Sequence, residues 1–191
     1  MDPVTIPTAR LLLRPVGPDD IDAVYAACQD PDIQRWTTIP SPYLPEHAET
    51  FVRQQAPDGW AASSMFTFGA FLPDGDLAGM LGITMRSLDT AELGFWATKR
   101  HRGNGYITEA TRAVSHWAFT RIPVDRLEWR AEVGNTASLA VAQRAGFTLE
   151  GTLRAALNNN GTRRDCWLAS LLPSDLSLPS TAPYLPPRPT M

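Results

Sequence analysis

Apolar positions recur along this chain with two periods, and the alternation between them predicts the elements. The run RLLLRPV, Arg10 to Val16, reads as a strand. In PDDIDAVYAAC, residues Ile21, Val24, Tyr25 and Cys28 return at helical spacing behind an acidic start, which predicts a short helix. From Gln29 to Pro45 prolines and turn residues dominate, although Trp36 and Tyr43 are more than a linker needs. A second short helix is predicted from Glu46 to about Gln55. MFTFGAF and LAGMLGITM flank LPDGD, and Asp-Gly between apolar runs predicts a hairpin. AELGFWA reads as the next strand.

Beyond it, Ile107, Ala110, Val114 and Trp117 fall on one face of a helix. LEWRAEV alternates, with Leu127, Trp129, Ala131 and Val133 on the buried side and Glu128, Arg130 and Glu132 on the solvent side. Asn135 suits the cap of a helix over TASLAVAQRA, Gly146 its left-handed terminus, FTLEG the strand that leaves it and RRDCWLASLL the last strand. Helices and strands alternate mainly in the second half, while the first half holds a hairpin. The expected fold is therefore α/β (α+β), with a mixed, mostly antiparallel central sheet flanked by helices. One domain over residues 1–174 accommodates these elements. Residues 175–191, rich in Pro, Ser and Thr and without periodicity, read as a disordered or loosely draped tail.

Composition narrows the classes. At 191 residues and 43% hydrophobic, the chain can bury one sizeable core. No run of 18 apolar residues and no signal-peptide pattern is present, so the expectation is a cytoplasmic protein that does not enter membranes. A net charge of -3 argues against nucleic acid as a partner. Cys28 and Cys166 are far apart in apolar runs and read as small core residues. His47, His101 and His116 are scattered, so no metal site is expected.

The sharpest chemical signal is the loop KRHRGNGYIT between the AELGFWA strand and its helix. Gly103 and Gly105 allow close backbone approach, and the first amides of the helix lack internal partners. With Lys99, Arg100 and Arg102 nearby, a phosphate or diphosphate is the natural guest. The plainer reading is a basic connection capped by glycines. A P-loop fits poorly because no Gly-Lys pair exists, and so does a dinucleotide fingerprint, because Thr108 stands at the third glycine position.

RHRGNG resembles the Q/R-x-x-G-x-G/A signature of the GNAT superfamily of acyl-CoA-dependent N-acyltransferases. NTASLAVAQRAGF resembles that family's N-x-x-S/A…K/R-x-G-F segment. The likeness runs from about Ala9 to Leu172, and IQRWTTIPSPY and AELGFWA resemble the RimJ/RimL type that acetylates protein N-termini. The resemblance implies acetyl-CoA, or another acyl-CoA, as co-substrate. Its pantetheine arm would run along Phe95, Trp96 and Ala97, with a bulge at Gly94 splaying the next strand away. Its diphosphate would lie on Arg100, Arg102, Gly103, Asn104, Gly105, Tyr106, Ile107 and Thr108. Asn135 would bond the pantetheine or merely cap its helix.

Transfer to an amine needs a neutral nucleophile and an acid for the departing thiolate. Many GNAT enzymes carry a tyrosine seven residues after the capping Asn, but that position is Ala142 here. In the RimJ/RimL type a serine three residues after the Asn takes its place, which is Ser138, also a candidate to touch the cofactor. Its alternative is a helix serine bonding its own backbone. Glu92 is the best-placed candidate base, with Asp165 as substitute. Trp36, Pro40, Pro42 and Tyr43 would wall the acceptor site. The acceptor is a protein N-terminal α-amine or a small-molecule amine, attacked directly in a ternary complex, and a homodimer is left open. The competing reading is a catalytically silent acyl-CoA-binding or regulatory domain on the same fold.

Overall fold

In the computed structural model, which describes residues 1–87, 89–159, 161–180, 182 and 184–186, eight strands form one sheet. They are β1 (Ile6–Pro7), β2 (Leu12–Arg14), β3 (Met65–Phe71), β4 (Leu77–Met85), β5 (Thr90–Ala97), β6 (Arg126–Glu132), β7 (Thr148–Asn159) and β8 (Thr162–Leu171). Their order is β1-β2-β3-β4-β5-β6-β8-β7, antiparallel except at β5–β6. The mixed, mostly antiparallel sheet is as the patterning predicts.

Side chains alternate across the strands and feed two cores. Phe66, Phe68, Leu81, Ile83 and Leu93 meet α5 (Tyr106–Arg121) and α6 (Thr136–Ala145), with Trp117 edge-on to Phe66 and Phe68 at 5.3 and 5.2 Å. Phe71, Leu77 and Met80 meet α1 (Ile21–Cys28), α2 (Pro31–Trp36) and α3 (Pro45–Thr50). Ile107, Ala110, Val114 and Trp117 are all buried, as their spacing requires. Cys28 and Cys166 are buried free thiols, and burial pushes the Cys28 thiol up to about 12.

Four local expectations need correction. The segment after Gln29 contains α2, started by Pro31 and capped by the Asp30 carboxylate, which accepts from the Asp32 amide at 2.7 Å. The helix expected to stop near Gln55 continues through a π-helical stretch, Phe51–Gln55, into α4 (Ala56–Ala61). The Ala56 amide bonds the Phe51 carbonyl, so the widened turn accommodates Pro57, whose ring would break a regular helix. In β6 the strand ends at Glu132, leaving Val133 40% exposed. Glu132, expected in solvent, is buried beneath Arg35. Finally, FTLEG is only the start of β7, which runs on through Asn159.

The C-terminal segment is anchored in part. Pro173–Leu176 form a 3-10 turn whose Leu176 packs on the first core, and the Ser180 hydroxyl donates to Asp125 at 3.1 Å. Residues 181, 183 and 187–191 of the expected tail lie outside the described residues. Among the described residues no helix is long and apolar enough to cross a membrane.

Candidate active site

The site originates in strand pairing. β5 and β6 pair only at Thr90–Arg126, Ala91–Leu127 and Glu92–Glu128, whereas β6 continues against β8 as far as Glu132–Cys166. Beyond Glu92 the edge of β5 facing β6 therefore has no ladder, and the strands open into a V. No bulge at Gly94 is responsible, contrary to expectation. The β4–β5 register runs unbroken through Gly82–Gly94 to Gly79–Ala97. The splay arises because β6 follows β8 instead. A cleft of about 1370 Å³ opens there, and Phe95, Trp96 and Ala97 line it.

Two helix N-termini face this cleft. Gly105 caps α5 with φ +77°, and Gly103 has φ +80° with no atom within 4 Å of where a Cβ would stand. The space before the loop is thus open at the point where a side chain would project. Gly103, Gly105, Tyr106, Ile107 and Thr108 all line the cleft. Across it, Asn135 caps α6, its Oδ1 accepting from the Ser138 amide at 3.2 Å. The Ser138 hydroxyl makes no bond to its own helix. It accepts from the Trp129 indole N–H at 3.2 Å and lines the cleft.

The loop's charges are distributed differently from the expectation. Arg100 is drawn 2.9 Å to Asp76 of the β3–β4 turn and lies outside the cleft walls. Asn104 also lies outside, its amide folded back on the carbonyls of His101 and Arg102. Arg102 does line the cleft but is held by Asp30 at 3.0 Å and Asp32 at 2.9 Å, which ties the loop to α2. Further positive charge comes from residues the sequence did not single out, Arg10, Arg112 and Arg144, all in the cleft walls. Arg10 bonds Glu109 at 2.7 Å and the Asn104 carbonyl at 3.0 Å, and its guanidinium lies 4.7 Å over the Tyr106 ring. Burial raises the Glu109 pKa, but hydrogen bonds from Thr8 and Arg10 outweigh it and hold the carboxyl below its ordinary value. Arg112 donates to the Arg144 carbonyl, linking α5 to α6. Nothing in local sequence signals Arg10, which lies 94 residues from the loop it braces.

On the acceptor side, Glu92 lines the cleft and pairs with Arg86 at 3.0 Å and, more loosely, with Arg130 at 3.8 Å. All of these contacts go to Oε2. Asp165 accepts from the Ala155 amide at 2.9 Å in the β7–β8 hairpin, away from the cleft walls. Trp36 lines the cleft, with Arg35 stacked on it at 4.3 Å. Arg35 also clamps α2 to β6 through two bonds to Glu132, at 2.7 and 2.8 Å. Those bonds lower the Glu132 pKa. Tyr43 does not join the site. It is 5% exposed within the second core, against Cys28, and burial raises its pKa. Pro40 and Pro42 are likewise absent from the walls, whose place is taken by Thr37, Thr38 and Ile39.

An open strand edge, a glycine-shaped helix N-terminus and a hydroxyl between them are features that suit an acyl-CoA-dependent acyltransferase. Comparison with known proteins bears this out: the Acetyltransferase (GNAT) domain model matches residues 10–148, and the chain belongs to that family. The YdaF protein of Bacillus subtilis (strain 168), whose name assigns it provisionally to the ribosomal N-acetyltransferases, is 37% identical over 135 residues. That match covers 67% of this chain and 72% of YdaF. Mycobacterium smegmatis RimJ in complex with CoA-disulfide superposes with a TM-score of 0.81, at 24% identity and covering 92% of each chain. RimL, a ribosomal L7/L12 α-N-protein acetyltransferase in complex with coenzyme A, gives 0.79 at 23% identity, covering 88% of this chain and 98% of its own. The protein is an N-acetyltransferase of RimJ/RimL-like type, with acetyl-CoA as donor.

Proposed function

We propose that the acceptor is the N-terminal α-amine of a protein, that Ser138 relays a proton to the departing sulfur while taking one from water in the cleft, and that Glu92 takes the proton released by the amine. Acetyl-CoA supplies an activated acyl carbon on a thiol leaving group. The glycine loop and the free edge of β5 hold it, and Asn135 fixes the first turn of α6 beside it. The observation that carries this reading is the Trp129–Ser138 bond. Because the indole N–H occupies a lone pair of Oγ, the hydroxyl hydrogen is left to point elsewhere, and accepting one bond strengthens donation of the next.

Glu92 has a matching division of labour. Its Oε2 is committed to Arg86, while Oε1 has no partner among the described residues and is available to water or to the acceptor ammonium. An α-amine of pKa about 8 needs far less help to reach its neutral form than a lysine of about 10.4. A single carboxylate acting through water suffices for the former. Relatives named as ribosomal-protein acetyltransferases agree with a protein amine.

Ser138→Ala tests the assignment. The expected result is a kcat lower by up to ~10²-fold with an unchanged dissociation constant for acetyl-CoA, since the proton is required only as the carbon–sulfur bond breaks. A wild-type kcat would leave Ser138 as no more than a seat for Trp129. Peptides with a free N-terminus are expected to be acetylated on the α-nitrogen, as read by mass spectrometry. Nα-blocked lysine peptides and polyamines are expected to remain unmodified.

A further inference from the structure

Three residues on the floor of the cleft are not used by this chemistry. In the sheet register Thr67 of β3 lies opposite Gly82 of β4, which lies opposite Gly94 of β5. Directly paired residues share a face, so the three form one row across the sheet. A Cβ built at Gly82 or at Gly94 would meet nothing within 4 Å. The row is therefore a strip of bare backbone. On one side stand Met80 and Trp96, on the other Thr84 and Glu92, while Phe51 and Ile39 also line the space. At its far end Thr67, only 2% exposed, is among the residues lining the same cleft, and its covered Oγ1 has no hydrogen-bond partner among the described residues.

A buried hydroxyl without a partner is unfavourable, and at a cleft wall it is an unfilled recognition point. We propose that this strip is a specificity groove for the part of the acceptor beyond its amine, and that Thr67 is its specificity-determining residue. The inference rests on the reading of this cleft as an acceptor site beside Glu92. From β5 to β3 is two strand spacings, roughly 10 Å, so the groove suits an apolar stem longer than that of alanine or serine. The stem ends in an uncharged hydrogen-bonding group that meets Oγ1, such as the amide of glutamine or the hydroxyl of an amino-alcohol. A charged end is rejected, because the far end offers only a neutral hydroxyl to meet it.

The test compares peptides beginning with Gln, Leu, Glu and Gly, and in a second arm 5-amino-1-pentanol with pentylamine, which distinguishes a peptide source from a small-molecule one. Wild type is expected to favour Gln over Leu by about tenfold in kcat/KM and to reject Glu; an about tenfold preference for the amino-alcohol over the alkylamine with none among the peptides would keep the groove and overturn the protein N-terminus as acceptor. Thr67→Val, which keeps the shape and removes the hydroxyl, is expected to bring that ratio to about one while leaving the Leu peptide and the melting temperature unharmed. Gly82→Val, a strand-favouring residue in open space, is expected to lower kcat/KM for the long side chains about tenfold or more and to spare the Gly peptide. An unchanged Gln-to-Leu ratio in Thr67→Val, or indifference to Gly82→Val, overturns the groove. The same ratios are read without turnover, as dissociation constants by calorimetry on the CoA-bound protein. Selective binding there without acetylation counts against the proposed acceptor chemistry alone; binding without selectivity in wild type overturns the groove.

Discussion

Gly105 offers the most direct test of how the loop works. Its φ of +77° is in the left-handed region, and its nearest would-be Cβ contact is the Arg10 guanidinium at 3.6 Å. Valine there must carry a β-branched side chain at positive φ, which costs about 1–2 kcal/mol of stability, and for a chain of this size each kcal/mol lowers Tm by about 2–4 °C. With the diphosphate on the loop as proposed, the same side chain would stand between it and the loop amides. Loss of one hydrogen bond to a charged group removes about 1.5–3 kcal/mol, or roughly 10- to 150-fold in affinity. Calorimetry with CoA and with pantetheine separates the two effects, because pantetheine has no diphosphate. Gly105→Val is expected to weaken CoA by that factor and leave pantetheine unchanged. Gly105→Asn, which tolerates the left-handed region, recovers most of the stability. An unchanged dissociation constant for CoA, or an equal loss for pantetheine, would refute the assignment of the loop amides to the diphosphate.

Two further outcomes follow from ion pairing and from the C-terminal segment. The hydrogen bonds from Arg35 lower the Glu132 pKa, so the pair contributes stability above the unfolded carboxyl value of about 4.3 and loses it as pH falls through the folded value. Melting curves of wild type and Glu132→Gln should differ most near neutral pH and converge in acid; a gap independent of pH would refute the linkage. A chain ending at Ser174 loses Asp175, whose carboxylate accepts from the Leu172 amide at 2.9 Å, together with the packing of Leu176. It should melt a few degrees below one ending at Ser180, and both should bind CoA equally, since neither contact reaches the cleft; equal melting temperatures would show these contacts to be idle.

Much of this protein is dictated locally and is therefore legible in its sequence. The spacing of Ile107, Ala110, Val114 and Trp117 makes one helix face apolar whatever that face packs against. Gly103 and Gly105 mark left-handed backbone because other residues rarely adopt it, and Asn135 caps α6 through an amide three residues away. These signals suffice for the alternation of elements, the glycine loop before α5 and the family. What they lack is any term for partners distant in the chain. The cleft exists because β6 follows β8, some forty residues later, and leaves β5 after Glu92, a competition between ladders that neither strand encodes alone. Tyr43 reads like Trp36, an aromatic in a proline-rich loop, yet the packing of α1 and α3 buries one and leaves the other in the wall. Arg100 and Arg102 promised charge to the cleft, but Asp76, Asp30 and Asp32 claim them, while Arg10 arrives from the other end of the domain. Periodicity and backbone preference act over a few residues, whereas pairing of strands and of charges is settled only when the whole chain has been brought together.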